Sequence, residues 1–142
     1  MMQHPLFIQW HARNETGIAI LDEQHKGIVS IINTFYYLMG AGANNAMLFS
    51  CISGMMKTYS RVHFITEEKL LEATAYKDYE KHKELHRQLI LETEHMEHEA
   101  VMANEAKPLL DFLKKWWTEH INEQDKLYIS HLHDSANALS KK

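Results

Sequence analysis

Histidine and carboxylate side chains recur in this chain at three- and four-residue spacings, on the same stripes as the large apolar residues. That coincidence restricts the fold more than any other feature. The residues are His25 in LDEQHK, His63 and Glu67 in HFITEE, His82 and His86 in HKELH, and His120 and Asp125 in HINEQD. A helix places residues three and four apart on one face. Imidazole and carboxylate groups on a core face cost free energy unless they are paired or metal-bound. Five imidazoles and two carboxylates match the needs of two octahedral metal ions, if the carboxylates bridge and one or two positions stay open.

The stripes predict four amphipathic helices. The first runs from about Asp22, a fair N-cap, to Met39, with His25, Ile28, Ile32, Phe35 and Met39 on one face. The second runs from about Asn45 to Glu72 and carries Leu48, Ile52, Met55, Tyr59, His63, Glu67 and Leu70. The third starts near Asp78 with Tyr79, His82, His86, Leu89, Thr93 and Met96. The fourth opens near Asn104, tolerates Pro108 in its first turn, and carries Leu109, Leu113, Trp116 and His120. Short loops between such helices give an all-α, antiparallel up-down-up-down four-helix bundle. Residues 1–20 lack a sustained period and read as an extended arm, with Phe7, Ile8 and Trp10 as packing handles. One domain of 142 residues is expected: arm 1–20, bundle 21–128, and tail 129–142, with a short helix from about Lys126 to Leu139.

Asp125 breaks the spacing. Five residues at 100° each leave it about 140° around an ideal helix from His120. If both serve one centre, the fourth helix has to widen between Ile121 and Gln124, and a π-bulge is the usual device.

Composition narrows the field. Five Gly and two Pro among 142 residues, with 45% apolar residues, favour long regular elements. The single Cys51 excludes an internal disulfide framework and fits a reducing compartment, so the cytoplasm is the expected location. The N-terminus lacks the basic start and apolar run of a signal peptide. A net charge of −4 disfavours nucleic acid as a partner. No charged residue lies between Lys26 and Lys57, but Gly40–Asn45 cuts that run in two, so a transmembrane segment is not expected.

The ligand set also sorts the chemistry. A zinc protease of the HEXXH type needs Glu directly after the first His, and here Lys83 follows His82. Carboxylate-rich di-iron bundles use Glu-x-x-His pairs and further Glu; this chain has His-x-x-x-Glu and His-x-x-x-His. Neutral nitrogen donors favour Fe(II), so the set suits reversible O2 binding over oxygen activation.

On these motifs, residues 17–128 resemble the hemerythrin family, and within it the single-domain bacteriohemerythrins. The resemblance implies two non-haem iron ions. His82, His86 and His120 match the ligands of one, His25 and His63 those of the other, and Glu67 and Asp125 the bridges, together with a hydroxide or oxide. It implies O2 binding at the ion held by His25 and His63, in a pocket lined by Ile28, Phe64, Trp116, Trp117 and Ile121. The family usually has Trp-Leu where this chain has Trp116-Trp117, and commonly Pro where it has Lys77. The implied role is oxygen storage or delivery, without enzymatic turnover, to an oxygen-consuming enzyme. The alternatives are an O2 or redox sensor and a di-iron enzyme handling peroxide or nitric oxide.

Other residues read as surface. Glu68, Glu72, Glu92, Glu94 and Glu97 are expected in solvent, as are His95, His98, His131 and His133. Residues 72–142 hold 24 of the 34 charged side chains. The outer face of the first helix pair, with Ser30, Asn33, Thr34, Tyr37, Ser50 and Ser53, is therefore a candidate docking or self-association surface.

Overall fold

The structure is a computed structural model that describes residues 5–42 and 45–140. The ends of the predicted arm and tail, and two residues of the GAGANN turn, lie outside those residues. Four helices appear where the stripes placed them: α1 (Ala19–Gly40), α2 (Ala46–Ala73), α3 (Tyr79–Ala103) and α4 (Lys107–Trp116). A π-helical segment (Trp117–Gln124) continues α4, and α5 (Lys126–Ser140) follows it. The turns at 41–45, 74–78 and 104–106 are too short for a crossover, so each helix folds back along the one before it.

Local chemistry fixes the ends. Asn45 caps α2 by accepting from the Leu48 N–H at 2.9 Å. Asp22 does not cap α1, which begins three residues earlier. Instead its carboxylate accepts from Thr16 N at 2.7 Å, Thr16 Oγ1 at 2.8 Å and Gly17 N at 3.1 Å, bracing the turn that feeds the helix. Gly17 is required there. Its φ is +82°, and a Cβ would sit 3.0 Å from the ring of His133. Asn104 does not open the fourth helix. It ends α3 in the left-handed conformation (φ 50°), which Asn tolerates better than most residues. Pro108 then falls in the first turn of α4.

The buried face of α2 is rotated one position from the expected stripe. Phe49, Ile52, Met56, Ser60, His63, Phe64, Glu67 and Leu71 are buried, whereas Met55 is 55% exposed and Tyr59 is half-buried. Both phases satisfy the helical period and share Ile52, His63 and Glu67. The main core joins Ile28, Ile32, Phe35, Phe49, Met56, Leu109 and Leu113 with the aromatic residues of the fourth helix. A smaller cluster of Leu21, Leu71, Tyr128 and Leu132 closes the opposite side of the ligand residues. The tail helix is thus part of the packing.

The arm is tied down as well. Asn33 on α1 accepts from Ile8 N and donates to Ile8 O, both at 2.8 Å, as a neighbouring strand would. Ile8 is buried, Phe7 stacks on Tyr36, and Trp10 lies against Trp117. Two residues of the candidate docking face are therefore already engaged inside the molecule: Asn33 in this clamp and Ser53 in the core. Replacing Asn33 by Ala removes both bonds and leaves polar groups of a part-buried backbone without partners. We expect a loss of about 1–3 kcal/mol, read as a lower urea midpoint at unchanged slope.

Candidate metal centre

All seven predicted ligands are buried: His25, His63, Glu67, His86, His120 and Asp125 at 3% exposure or less, and His82 at 8%. They come from α1, α2, α3, the π segment and the residue after it. Two overlapping groups result, each with its donor atoms within 4.8 Å of one another. Glu67, His82, His86, His120 and Asp125 form one; His25, His63, Glu67 and Asp125 form the other. The two carboxylates belong to both groups.

The π segment makes this possible. Asp125 N–H donates to His120 O at 2.9 Å, a bond to the fifth residue back where an α-helix uses the fourth. The wider turn carries Asp125 round toward the face of His120, and Asp125 Oδ1 lies 3.3 Å from His120 Nε2. The widening starts at Trp117, four residues earlier than the expected stretch.

The donor set fits cations. Donors about 2.1 Å from a shared ion lie roughly 3–4 Å apart. Here His82 Nε2 and His86 Nε2 are 3.2 and 3.1 Å from Glu67 Oε2, and His25 Nε2 is 3.7 Å from Asp125 Oδ2, while His63 Nε2 sits closer, 2.6 Å from Glu67 Oε1. Few of these approaches are hydrogen bonds. His86 Nε2, both ring nitrogens of His120, Glu67 Oε1 and both oxygens of Asp125 are buried without a hydrogen-bond partner. His25 Nε2 and His63 Nε2 face each other at 3.1 Å, which places a proton or a cation between two lone pairs.

Electrostatics show the same frustration. Burial pushes the Glu67 carboxyl up, but the imidazoles of His63, His25 and His82 around it outweigh that and hold it well below the usual range. Burial, followed by the charge of Glu67, drives Asp125 well above the usual range. Burial drives His120 well down, so its imidazole stays neutral, as a ligand must be. Burial lowers His25, yet the nearby carboxylates of Asp125 and Glu67 more than reverse that. One carboxylate gains its anionic form from nearby imidazoles and the other loses it. Cations at the centre of both groups would relieve the conflict.

Orienting residues are also present, and sequence reasoning missed two of them. Gln24 Oε1 accepts from His63 Nδ1 at 2.8 Å, while its amide donates to Thr66 Oγ1 at 3.0 Å. Glu68, read as a surface charge, accepts from His86 Nδ1 at 2.9 Å. In both cases the proton sits on Nδ1, and the Nε2 lone pair turns inward. Each orienting residue is next in sequence to a ligand of its own helix but serves a ligand on another helix. That adjacency was the only available signal. Tyr128 is wholly buried with its hydroxyl unpartnered, and burial beside Asp125 and Glu67 holds the phenol well above its usual range. Tyr59 of α2 rests its hydroxyl against Gly27 of α1.

The five residues expected to line a gas pocket are all buried. They divide between the two ligand groups. Phe64 stacks on His86 with ring centroids 3.9 Å apart and lies 5.9 Å from Trp116, which flanks His120. Trp117 stands edge-on to His25 at 6.0 Å. Ile28 and Ile121 pack in the same core. Of the remaining histidines, His131 bonds Thr74 Oγ1 and His133 bonds Thr16 O, while His95 and His98 are exposed.

Removing an orienting group frees the ring it holds. Gln24→Ala and Glu68→Ala should each lower metal affinity by about 10–100-fold without unfolding the bundle, as measured by chelator competition.

Comparison with known proteins agrees with this geometry. A bacteriohemerythrin of Pseudomonas paraeruginosa is 29% identical over 133 residues, covering 93% of this chain and 86% of its own length. One from Clostridium acetobutylicum is 30% identical over 129 residues, covering 84% and 97% respectively. A crystal structure of a hemerythrin point mutant superposes with a TM-score of 0.75 at 26% identity, over 90% of this chain and 98% of that one. The family model described as the hemerythrin HHE cation binding domain matches residues 16–132. With the buried two-group ligand cluster carried by that same stretch, the chain belongs to the hemerythrin family.

Proposed function

We propose that this protein binds O2 reversibly at a pair of iron ions, for storage or delivery to an oxygen-consuming enzyme, and that it turns over no substrate of its own. The observation that carries this reading is the sharing of Glu67 and Asp125 by both ligand groups, as bridging carboxylates require. His82, His86 and His120 would complete one ion's shell. His25 and His63 would serve the other, which has one protein donor fewer and so keeps a position for O2. Ferrous ions held there supply the two electrons that reversible O2 binding needs.

The chain's own residues set the conditions. Neutral imidazoles outnumber carboxylates, which favours the lower oxidation state. Trp117 stands against His25 and Phe64 and Trp116 against His86 and His120, while Ile28 and Ile121 pack in the same core, so apolar surface surrounds the centre. The phenol of Tyr128 keeps its proton on the opposite side, beside the carboxylates. The family relationship and the absence, among the described residues, of a helix long and apolar enough to cross a membrane are consistent with this role.

Two outcomes test it. Purified protein should hold about two iron per chain, and its reduced form should gain an absorbance band in air that argon reverses. His86→Ala should lose iron and stability. Zinc in place of iron, or a spectrum indifferent to air, ends the reading. A second test concerns Trp117. Trimming it to Ala should cost about 3–5 kcal/mol and admit water, so the oxygenated form should oxidise faster over hours with iron retained. Trp117→Leu should show a smaller effect. Identical rates in all three proteins would place Trp117 outside the pocket wall.

A further inference from the structure

Outside the metal centre, one pocket differs in charge from the rest of the molecule. It is about 610 Å³ and lies between the arm and the fourth helix, where His11, Arg13, Lys114, Lys126, Glu123 and Trp117 are among the residues that form it. Three permanent cations face a single carboxylate, in a chain whose net charge is −4. No carboxylate lies within 4 Å of Arg13, Lys114 or Lys126 among the described residues. Elsewhere, Lys57, Arg61, Arg87 and Lys107 are each paired with a carboxylate at 3.3 Å or less.

A second groove, of about 360 Å³, reaches His86 from the other side, but its two arginines are those already neutralised by Glu94 and Glu84. Lys26, Lys69, Lys77, Lys81, Lys83 and Lys115 also lack a carboxylate within 4 Å among the described residues, but here three such cations line one pocket. Its volume is within the range of small-molecule sites.

The floor of this pocket is Trp117. That indole is 3% exposed, lines the pocket on one side and stands 6.0 Å from the His25 ring on the other. Trp10 of the arm lies 5.9 Å from it. Electron tunnelling falls steeply with distance, and here a single aromatic wall separates a cationic surface pocket from a metal-binding imidazole. A centre that lends electrons to O2 can lose them, and it then needs a donor.

We propose that this cationic pocket receives a small anionic reductant and that Trp117 carries its electrons to the His25 side of the centre. The inference rests on the reading of the centre as a di-iron site. For a dihydroflavin bearing a phosphate, the balance is simple. The donor becomes the oxidised flavin, releases two protons, and passes two electrons in succession to two ferric ions, which become ferrous. The cations hold the phosphate and take no part in the redox change.

Reduced flavin mononucleotide and reduced riboflavin share one ring and differ in the phosphate, so the pair isolates the charge. Mixed anaerobically with oxidised, iron-loaded protein in a stopped-flow instrument at low salt, the phosphate-bearing donor should react about tenfold faster. The ratio should fall to about one in Arg13→Glu/Lys114→Glu, and likewise in roughly 0.5 M salt, where the Debye length is a few ångströms. It should rise in Glu123→Gln. Trp117→Leu should slow both donors by a similar factor and leave the ratio unchanged. Fluorescence anisotropy of the oxidised flavins supplies a readout independent of iron: the mononucleotide should bind and riboflavin should not.

A ratio of one in the unaltered protein, or a ratio that survives the double charge reversal, overturns the pocket. Unchanged rates in Trp117→Leu overturn the conducting wall. Iron content and the oxygenated spectrum, taken on the same samples, separate these failures from failure of the di-iron reading.

Discussion

Burial of two carboxylates among five imidazoles is the interaction on which the rest of this structure depends. In water these groups would be comfortable. In the core of a helical bundle they are costly, and their mutual pairing satisfies only some of them. Glu67 is held ionised by its imidazole neighbours, and that charge in turn makes ionisation of Asp125 harder. Such a cluster persists only if something positive completes it. Metal binding and folding are then one equilibrium, and the well-packed layers above and below the centre are what make the dry, low-dielectric surroundings possible.

The supporting geometry runs between helices. Gln24 on α1 sets a ring on α2, and Glu68 on α2 sets a ring on α3. A ligand's orientation is therefore decided by the register of its neighbour, as much as by its own rotamer. A bundle whose helices slid by one turn would keep every ligand and lose the arrangement of lone pairs. This makes the cluster sensitive to helix packing far from it, including the clamp that Asn33 places on the arm whose Trp10 rests against Trp117.

Much of this was legible in the sequence. Helix order, the face carrying His25, His63, His82, His86 and His120, and the need for a distortion before Asp125 all follow from spacing, because periodicity constrains a helix more tightly than composition does. What escaped was information that exists only after helices are placed together. The phase of α2 was ambiguous, since Met55 with Tyr59 and Met56 with Ser60 fit equally well along the chain. Glu68 looked solvated because one helix in isolation cannot show which imidazole its neighbour presents. Asn33 looked like part of a neutral outer face because its partner is the backbone of an arm with no pattern of its own. Asn104 was misplaced for a simpler reason: the same residue type opens helices and closes them.

The wide turn between Trp117 and Gln124 has a consequence for how this sequence can change. It amounts to one extra residue accommodated inside a helix. Were the same residues to pair as an ordinary α-helix, everything that follows would turn by about 100°. Tyr128 and Leu132 would swing away from Leu21 and Leu71, and Asp125 would leave the side of His120. The stretch is thus constrained in its backbone pairing more strictly than in side-chain identity. Substitutions at its exposed positions, such as Thr118 or Glu119, leave the register intact, whereas any change that let this same stretch pair as an α-helix would undo the centre and the tail packing together.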